Sequence, residues 1–212
     1  MFAVNTYGEI EKNEKNLNDR HIIVLLFVRP SLAGAEKVIA EFNYLHHNSR
    51  EYCSIYAVGY SNDVHEKSYN DYQTIKGVNG ENWYYSDRAF VDFKDKLESR
   101  LKWKYSGDIE LIILQSNPEG SKILNFENYL AVDVNYGIKN AYIESFPRFM
   151  ESLIRISKKE IEVTKAAWDI QKSKYSIRDI VAESIDACKK VPQPVKKIIK
   201  DRLFYRTSKS YS

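Results

Sequence analysis

The side chains best suited to chemistry stand just after three apolar runs. Arg29 and Ser31 follow the first, Tyr60, Ser61, Asn62 and Asp63 the second, and Gln115 and Ser116 the third. A guanidinium grips a phosphate or carboxylate, a hydroxyl at a helix start aims backbone N–H groups at an anion, and amides read a polar edge. In an open α/β sheet these positions rim the crevice where ligands gather. They would form a small-molecule or nucleotide site there. The same residue types also close turns and cap helices, and that plainer role competes with the first.

Other chemistries are set aside. His46 and His47 are neighbours on a helix end and point about 100° apart. Even with Cys53, His65 and Glu66, no recognised zinc-ligand spacing appears, so neither metal nor other cofactor is expected. Gly-x-Ser-x-Gly, Gly-x-x-x-x-Gly-Lys and Gly-x-Gly-x-x-Gly do not occur. The carboxylate pairs Asp63/Glu66 and Asp108/Glu110 fall at strand and loop ends, where charges are mostly solvated. Cys53 and Cys188 are the only cysteines and form no C-x-x-C pair, which points to a reducing cytoplasm rather than a disulfide framework. The start, Met1-Phe2-Ala3-Val4-Asn5, lacks the basic and apolar regions of a secretory leader, and no stretch is apolar enough to span a membrane. Lys, Asn, Ile and Tyr are abundant, and their AT-rich codons suggest a bacterial or phage genome.

Two features suit a macromolecular partner. Tyr72, Trp83 and Tyr84, with Tyr69 and Tyr85, crowd a segment that reads as a long connection; such rings stack on a partner or tether their own loop. The last 24 residues hold eight Lys and Arg, among them Lys196, Lys197, Lys200, Arg202 and Arg206, against Asp201 alone. That end carries +7 and the preceding 188 residues −4, which together make the net +3. A basic end on an acidic body docks on something negative: a protein partner, nucleic acid, or the body itself. Self-association is a further expectation; membrane binding is not.

The elements that must position these residues follow from periodicity. Ile22 to Val28 is apolar without interruption, the pattern of a strand buried on both faces. Ser31 stands as N-cap of a helix with Ala35, Val38, Ile39, Phe42 and Leu45 inward. Cys53 to Tyr60 is the second strand. A helix from Ser86 or Asp87 buries Phe90, Phe93, Leu97 and Leu101, and Gly107 is placed to terminate it. Ile109 to Leu114 is the third strand, and Leu130 to Asn135, alternating apolar and polar, the fourth. Ahead of these, Phe2 to Tyr7 reads as a short edge strand and Glu11 to Asn16 as a solvated connector. From Phe146 to Lys174 a long helix carries two apolar stripes about 200° apart: Phe149, Ile156, Val163, Ile170 and Ile154, Ile161, Trp168. This gives an N-terminal segment over 1–19, an α/β domain over 20–175 and a basic helical extension over 176–212.

The order β-α-β-α-β-β-α resembles the thioredoxin-like fold, whose third and fourth strands form an antiparallel hairpin. The alternative is a small Rossmann or flavodoxin-like sheet, but the 13 residues from Ser116 to Asn128, with Pro118 and Gly120, leave little room for a crossover helix. The expected body is thus a three-layer αβα sandwich on a four-stranded sheet in order 2-1-3-4. The resemblance does not reach redox chemistry. Where that family begins its first helix with a thiol motif, this chain reads Arg29-Pro30-Ser31-Leu32-Ala33-Gly34. No proline precedes the third strand, and the Pro then acidic-Ser turn of glutathione transferases is absent as well. The expected function is a non-catalytic module binding protein or nucleic acid. A strand-end small-molecule site is the alternative.

Overall fold

The computed structural model describes residues 1–17, 22–49, 52–62, 69–78, 80–116, 123–166 and 204–205. The chain is mixed α/β. Its larger sheet has the order β1-β3-β2-β7-β8-β9: five strands, Phe2–Val4, Cys53–Val58, Ile22–Phe27, Glu110–Ser116 and Leu124–Asp133, with the two-residue Phe204–Tyr205 added at the far edge. β1 and β2 both run parallel to β3, whereas β7 is antiparallel to β2 and β8 antiparallel to β7.

Every residue of β2 and β3 is buried: β2 as its uninterrupted apolar run requires, and β3 with Ser54 and Tyr56 among its buried residues. Phe27 packs against Phe90 and Phe93 of helix α4 (Asp87–Arg100), with ring centroids 5.8 and 6.3 Å away, and against Trp103 at 5.0 Å. Helix α1 (Tyr7–Glu14) joins α4 through Tyr7 and Phe93 and gives the Glu14 carboxylate to the Tyr56 hydroxyl at 2.6 Å. Helices α2 (Ala35–Ala40) and α3 (Phe42–Ser49) connect β2 to β3, and α6 (Phe146–Ala166) contacts both α3 and β3. Along α6, Phe149, Ile154 and Ile156 are all buried while Arg148, Glu151, Arg155 and Lys158 are exposed, so members of both expected stripes are covered. Ile161, Val163, Trp168 and Ile170 lie outside the described side chains.

Several expectations are corrected. The sheet has more than four strands because β1 extends it beyond β3 and β9 beyond β8, so neither expected edge is an edge. β8 begins at Leu124, and Val134 and Asn135 start helix α5 (Val134–Lys139), with the Asp133 carboxylate accepting from Tyr136 N–H at 2.8 Å. Glu11 to Glu14 belongs to α1 rather than to a connector. Ser31 lies exposed in a turn; the residue before α2 is Gly34, at φ 82, and its helix has no side-chain cap. α4 ends at Arg100, well before Gly107.

The expected long connection is largely a second, antiparallel sheet in the order β4-β6-β5, made of Tyr60–Ser61, Glu81–Tyr85 and Gln73–Val78. It is joined to the first through Gly59. That residue sits at φ 83, its N–H donates to Val4 O and its carbonyl accepts from Ser86 N–H, both at 2.9 Å. A Cβ there would stand 2.7 Å from Phe90 Cβ, so only glycine lets α4 approach the strand end this closely.

Candidate functional site

The parallel strands β1, β3 and β2 end together, bringing Asn5, Gly59 and Arg29 to one rim of the larger sheet. Because β7 runs the other way, its amino end is here: Glu110 pairs with Phe27, while Gln115 pairs with Ile22. Five strand steps, roughly 17 Å, separate Gln115, opposite Ile22, from Phe27, with Arg29 two residues beyond and Ser116 farther away. The expected constellation is split between opposite ends of the sheet.

What the rim does assemble is a set of closed pairs. Arg29 forks onto Asp87, with Nε 2.9 Å from Oδ1 and Nη2 2.6 and 2.7 Å from the two oxygens. Tyr85 donates to the same carboxylate at 3.0 Å, and the guanidinium lies 5.5 Å from the Phe90 ring centroid. The hydrogen bond to Asp87 raises the Arg29 pKa, so the cation stays charged and engaged. The pair is about one-third to one-half exposed, which limits its worth to about 1 kcal/mol.

Tyr60 lies at 0 % exposure between Phe42, Trp83 and Tyr85, and its hydroxyl donates to Val28 O at 2.9 Å. It thereby ties the residue after β3 and Gly59 to the residue after β2 at this rim. Ser61 is half-buried in β4, Asn62 is exposed, and Asp63 lies outside the described residues.

Nearby, Tyr105 packs on Phe27, Phe90 and Trp103, and its buried hydroxyl has no hydrogen-bond partner among the described residues. Glu110 is buried and accepts from Trp103 Nε1 at 2.8 Å and Ser106 N–H at 2.9 Å. Burial nevertheless raises its pKa, with the nearby Asp133 carboxylate adding to the shift. Asp108 is taken by Asn135 at 2.6 Å. Cys53 stands at the opposite end of β3, paired with Ile22, and burial pushes its thiol up to about 12. His46 Nδ1 is 3.1 Å from Met1 O, and among the described residues no three His, Cys, Asp or Glu side chains gather as a metal site would require.

The aromatic segment is similarly engaged with its own body. Trp83 is buried against Phe42 and Tyr60. Tyr72 accepts from Asn5 Nδ2 at 3.0 Å and meets Tyr69 edge-on, while Tyr69 donates to Asp92 at 3.1 Å. Between them Asp71 accepts from Ser86 Oγ at 2.6 Å and Arg88 N–H at 3.0 Å, fastening the segment to the start of α4. Tyr84 is half-buried in β6, opposite Ser61 and Thr74. Lys196, Lys197, Lys200, Arg202 and Arg206 lie outside the described residues. Phe204–Tyr205, within the basic end, pairs antiparallel with Val132 and Ala131.

Sequence reasoning missed Asp87, Tyr85, Tyr105 and Glu110 as rim residues. Asp87 stands 58 positions from Arg29, and no local pattern links them. The nearest signal was Asp87 itself, legible only as a helix-start residue. Comparison of the chain with models of known protein families, with curated proteins and with solved structures gives no match.

Proposed function

We propose that this protein is a non-catalytic interaction module: a thioredoxin-like body without redox cysteines that engages an acidic protein partner through the basic residues Lys196, Lys197, Lys200, Arg202 and Arg206. The observation that carries the reading is the occupied rim, with Tyr60 buried and bonded to Val28 O and Arg29 already held by Asp87. A rim filled by its own side chains offers a small molecule little to bind. The parallel β2–β3 pair beside the antiparallel β7–β8 pair supports the thioredoxin-like body, and the buried Cys53 thiol fits its lack of redox function. The partner's sign follows from the charge asymmetry, +7 on the last 24 residues against −4 on the rest. A protein is preferred to nucleic acid because an acidic body repels a long polyanion that reaches past the basic segment.

The test compares the full chain with a variant carrying Gln at those five positions. Each is titrated, by fluorescence anisotropy at low and high salt, with a labelled poly-glutamate peptide and a labelled single-stranded oligonucleotide. The peptide binds the native chain, weakens with salt as exposed charge pairs do, and fails to bind the variant. Equal peptide binding by both proteins overturns the reading, and binding of the oligonucleotide alone transfers it to nucleic acid.

A further inference from the structure

We propose that residues 102–106 form a strap that lifts off Phe27 and Phe90 as one unit while the sheet stays folded, and that Glu110 makes this opening easier as pH rises. The inference is independent of the partner reading, because it concerns how the rim is held and invokes no ligand.

Between the end of α4 at Arg100 and the start of β7 at Glu110 the chain has neither helix nor strand. Its side chains alternate: Leu101 and Trp103 are buried and Tyr105 half-buried, while Lys102, Lys104 and Ser106 are exposed. Trp103 and Tyr105 lie on Phe27, and Tyr105 also on Phe90. Among the described residues, no backbone–backbone hydrogen bond holds residues 102–106. Two carboxylates hold them instead. Glu98 accepts from Tyr105 N–H at 2.9 Å and from Lys104 Nζ at 3.0 Å. Glu110 accepts from Trp103 Nε1 at 2.8 Å and from Ser106 N–H at 2.9 Å. A segment fixed by two side chains, with no ladder of its own, opens separately from the core it covers. Gly107, at φ 95 and with open space where a Cβ would stand, supplies the hinge.

Two features oppose closure. The Tyr105 hydroxyl is buried with no partner among the described residues, and lifting the strap returns it to water. Glu110 is buried opposite Phe27 of β2 and Asp133 of β8, and no Lys or Arg pairs with it among the described residues. The other charged groups around it are Asp108, held by Asn135 of α5, and the Arg29–Asp87 pair beyond Tyr105. Burial raises the Glu110 pKa against the Ser106 and Trp103 donors, and Asp133 adds to the rise. With the strap lifted, water reaches the carboxyl and its pKa returns toward about 4.3. The closed strap therefore holds this proton more tightly than the open one, and loses that advantage as pH rises through the raised value. Glu98 acts in the opposite sense. Burial pushes its carboxyl up, but Tyr105 N–H, Lys104 and Lys94 outweigh this and hold it below the ordinary value, so its grip is lost only as pH falls.

Native-state hydrogen exchange of the full chain, read by NMR at a series of pH values from about 4.3 upward and corrected for intrinsic rates, tests this. The Tyr105 and Ser106 amides are compared with those of Ile112 and Ile113 in β7. Strap protection at least about tenfold below that of β7, and declining as pH rises, supports the proposal. Protection equal to that of β7 at every pH, or none at any pH, overturns it. Glu110→Gln should abolish the decline with pH, and a decline unchanged from the native protein overturns the role given to Glu110. Tyr105→Phe keeps the ring and removes the orphan oxygen, so the protection of Ser106 should rise about tenfold. Unchanged or lower protection in that variant overturns the claim that the hydroxyl opposes closure.

Discussion

Replacing Tyr60 by Phe removes one oxygen from the place where the parallel strands end. The ring stays at 0 % exposure among Phe42, Trp83 and Tyr85, so packing is kept, but the hydroxyl that donates to Val28 O at 2.9 Å is lost. Val28 is itself fully buried, so water does not take over its carbonyl. An acceptor stranded in this way costs about 1–3 kcal/mol, more than the net worth of an exchanged hydrogen bond. Taking about 2 kcal/mol, a chain of this length loses roughly 4–8 °C in Tm. Thermal and urea unfolding followed by circular dichroism measure the loss. Tyr44→Phe serves as the control, since Tyr44 is 39 % exposed and its change should stay within about 0.5 kcal/mol. Equal Tm values for Tyr60→Phe and the native protein would refute the reasoning, because the hydroxyl would then not be holding a buried Val28 carbonyl.

Glu110→Gln should change the pH dependence of stability. Burial raises the folded-state pKa of Glu110, so the native state holds this proton more tightly than the unfolded chain. Its contribution is complete below the ordinary Glu value of about 4.3 and declines as pH rises through the raised value. The Tm of the native protein minus that of the variant should therefore fall as pH rises from about 4.3; a flat or rising difference refutes this. Burial also acts upward on Asp71 and Glu98, but Ser86 and Arg88 N–H on the first, and Tyr105 N–H and Lys104 on the second, hold both below the ordinary value. Their contributions are lost as pH falls and cancel in the difference. A thiol reagent at mildly alkaline pH should leave Cys53 unlabelled until the protein is unfolded, as mapped on its peptide; labelling in the native state contradicts the thiol's burial and its rise to about 12. Asp71→Ala should cost about 1–2 kcal/mol in urea unfolding through lost support at the start of α4, and should speed proteolysis around Tyr69 and Tyr72. Unchanged cleavage would show that Asp71 does not fasten that segment.

What the sequence disclosed follows from which side chains are forced to be apolar. β2 is buried on both faces and has no polar position to obscure it; α4 repeats Phe90, Phe93 and Leu97 at helical spacing behind Ser86, whose hydroxyl accepts from Ala89 N–H at 3.0 Å. β5 begins Gln73-Thr74, both exposed, so hydropathy gave it no signal and its stretch read as part of a long connection, whereas Trp83-Tyr84-Tyr85 did suggest the short strand that is part of β6. In α1, Glu14 is buried by bonding Tyr56, a polar side chain in a core position that no apolar pattern reveals. Strand direction was the costliest gap. Apolar runs read alike in either sense, so the grouping of Gln115 with Arg29 needed the orientation of β7, which its residues do not encode locally. The pairing of Arg29 with Asp87 depends on that same tertiary arrangement.

The central claim is that binding resides in the basic segment and not at the strand-end rim. The most direct measurement is a thermal-shift screen of nucleotides, anionic metabolites and poly-glutamate peptide, run in parallel on the native protein, on Arg29→Ala and on the five-Gln variant. The account predicts that only the peptide raises the melting temperature, equally in the native protein and Arg29→Ala and not in the five-Gln variant. A small molecule that stabilises the native protein and loses its effect in Arg29→Ala would contradict it.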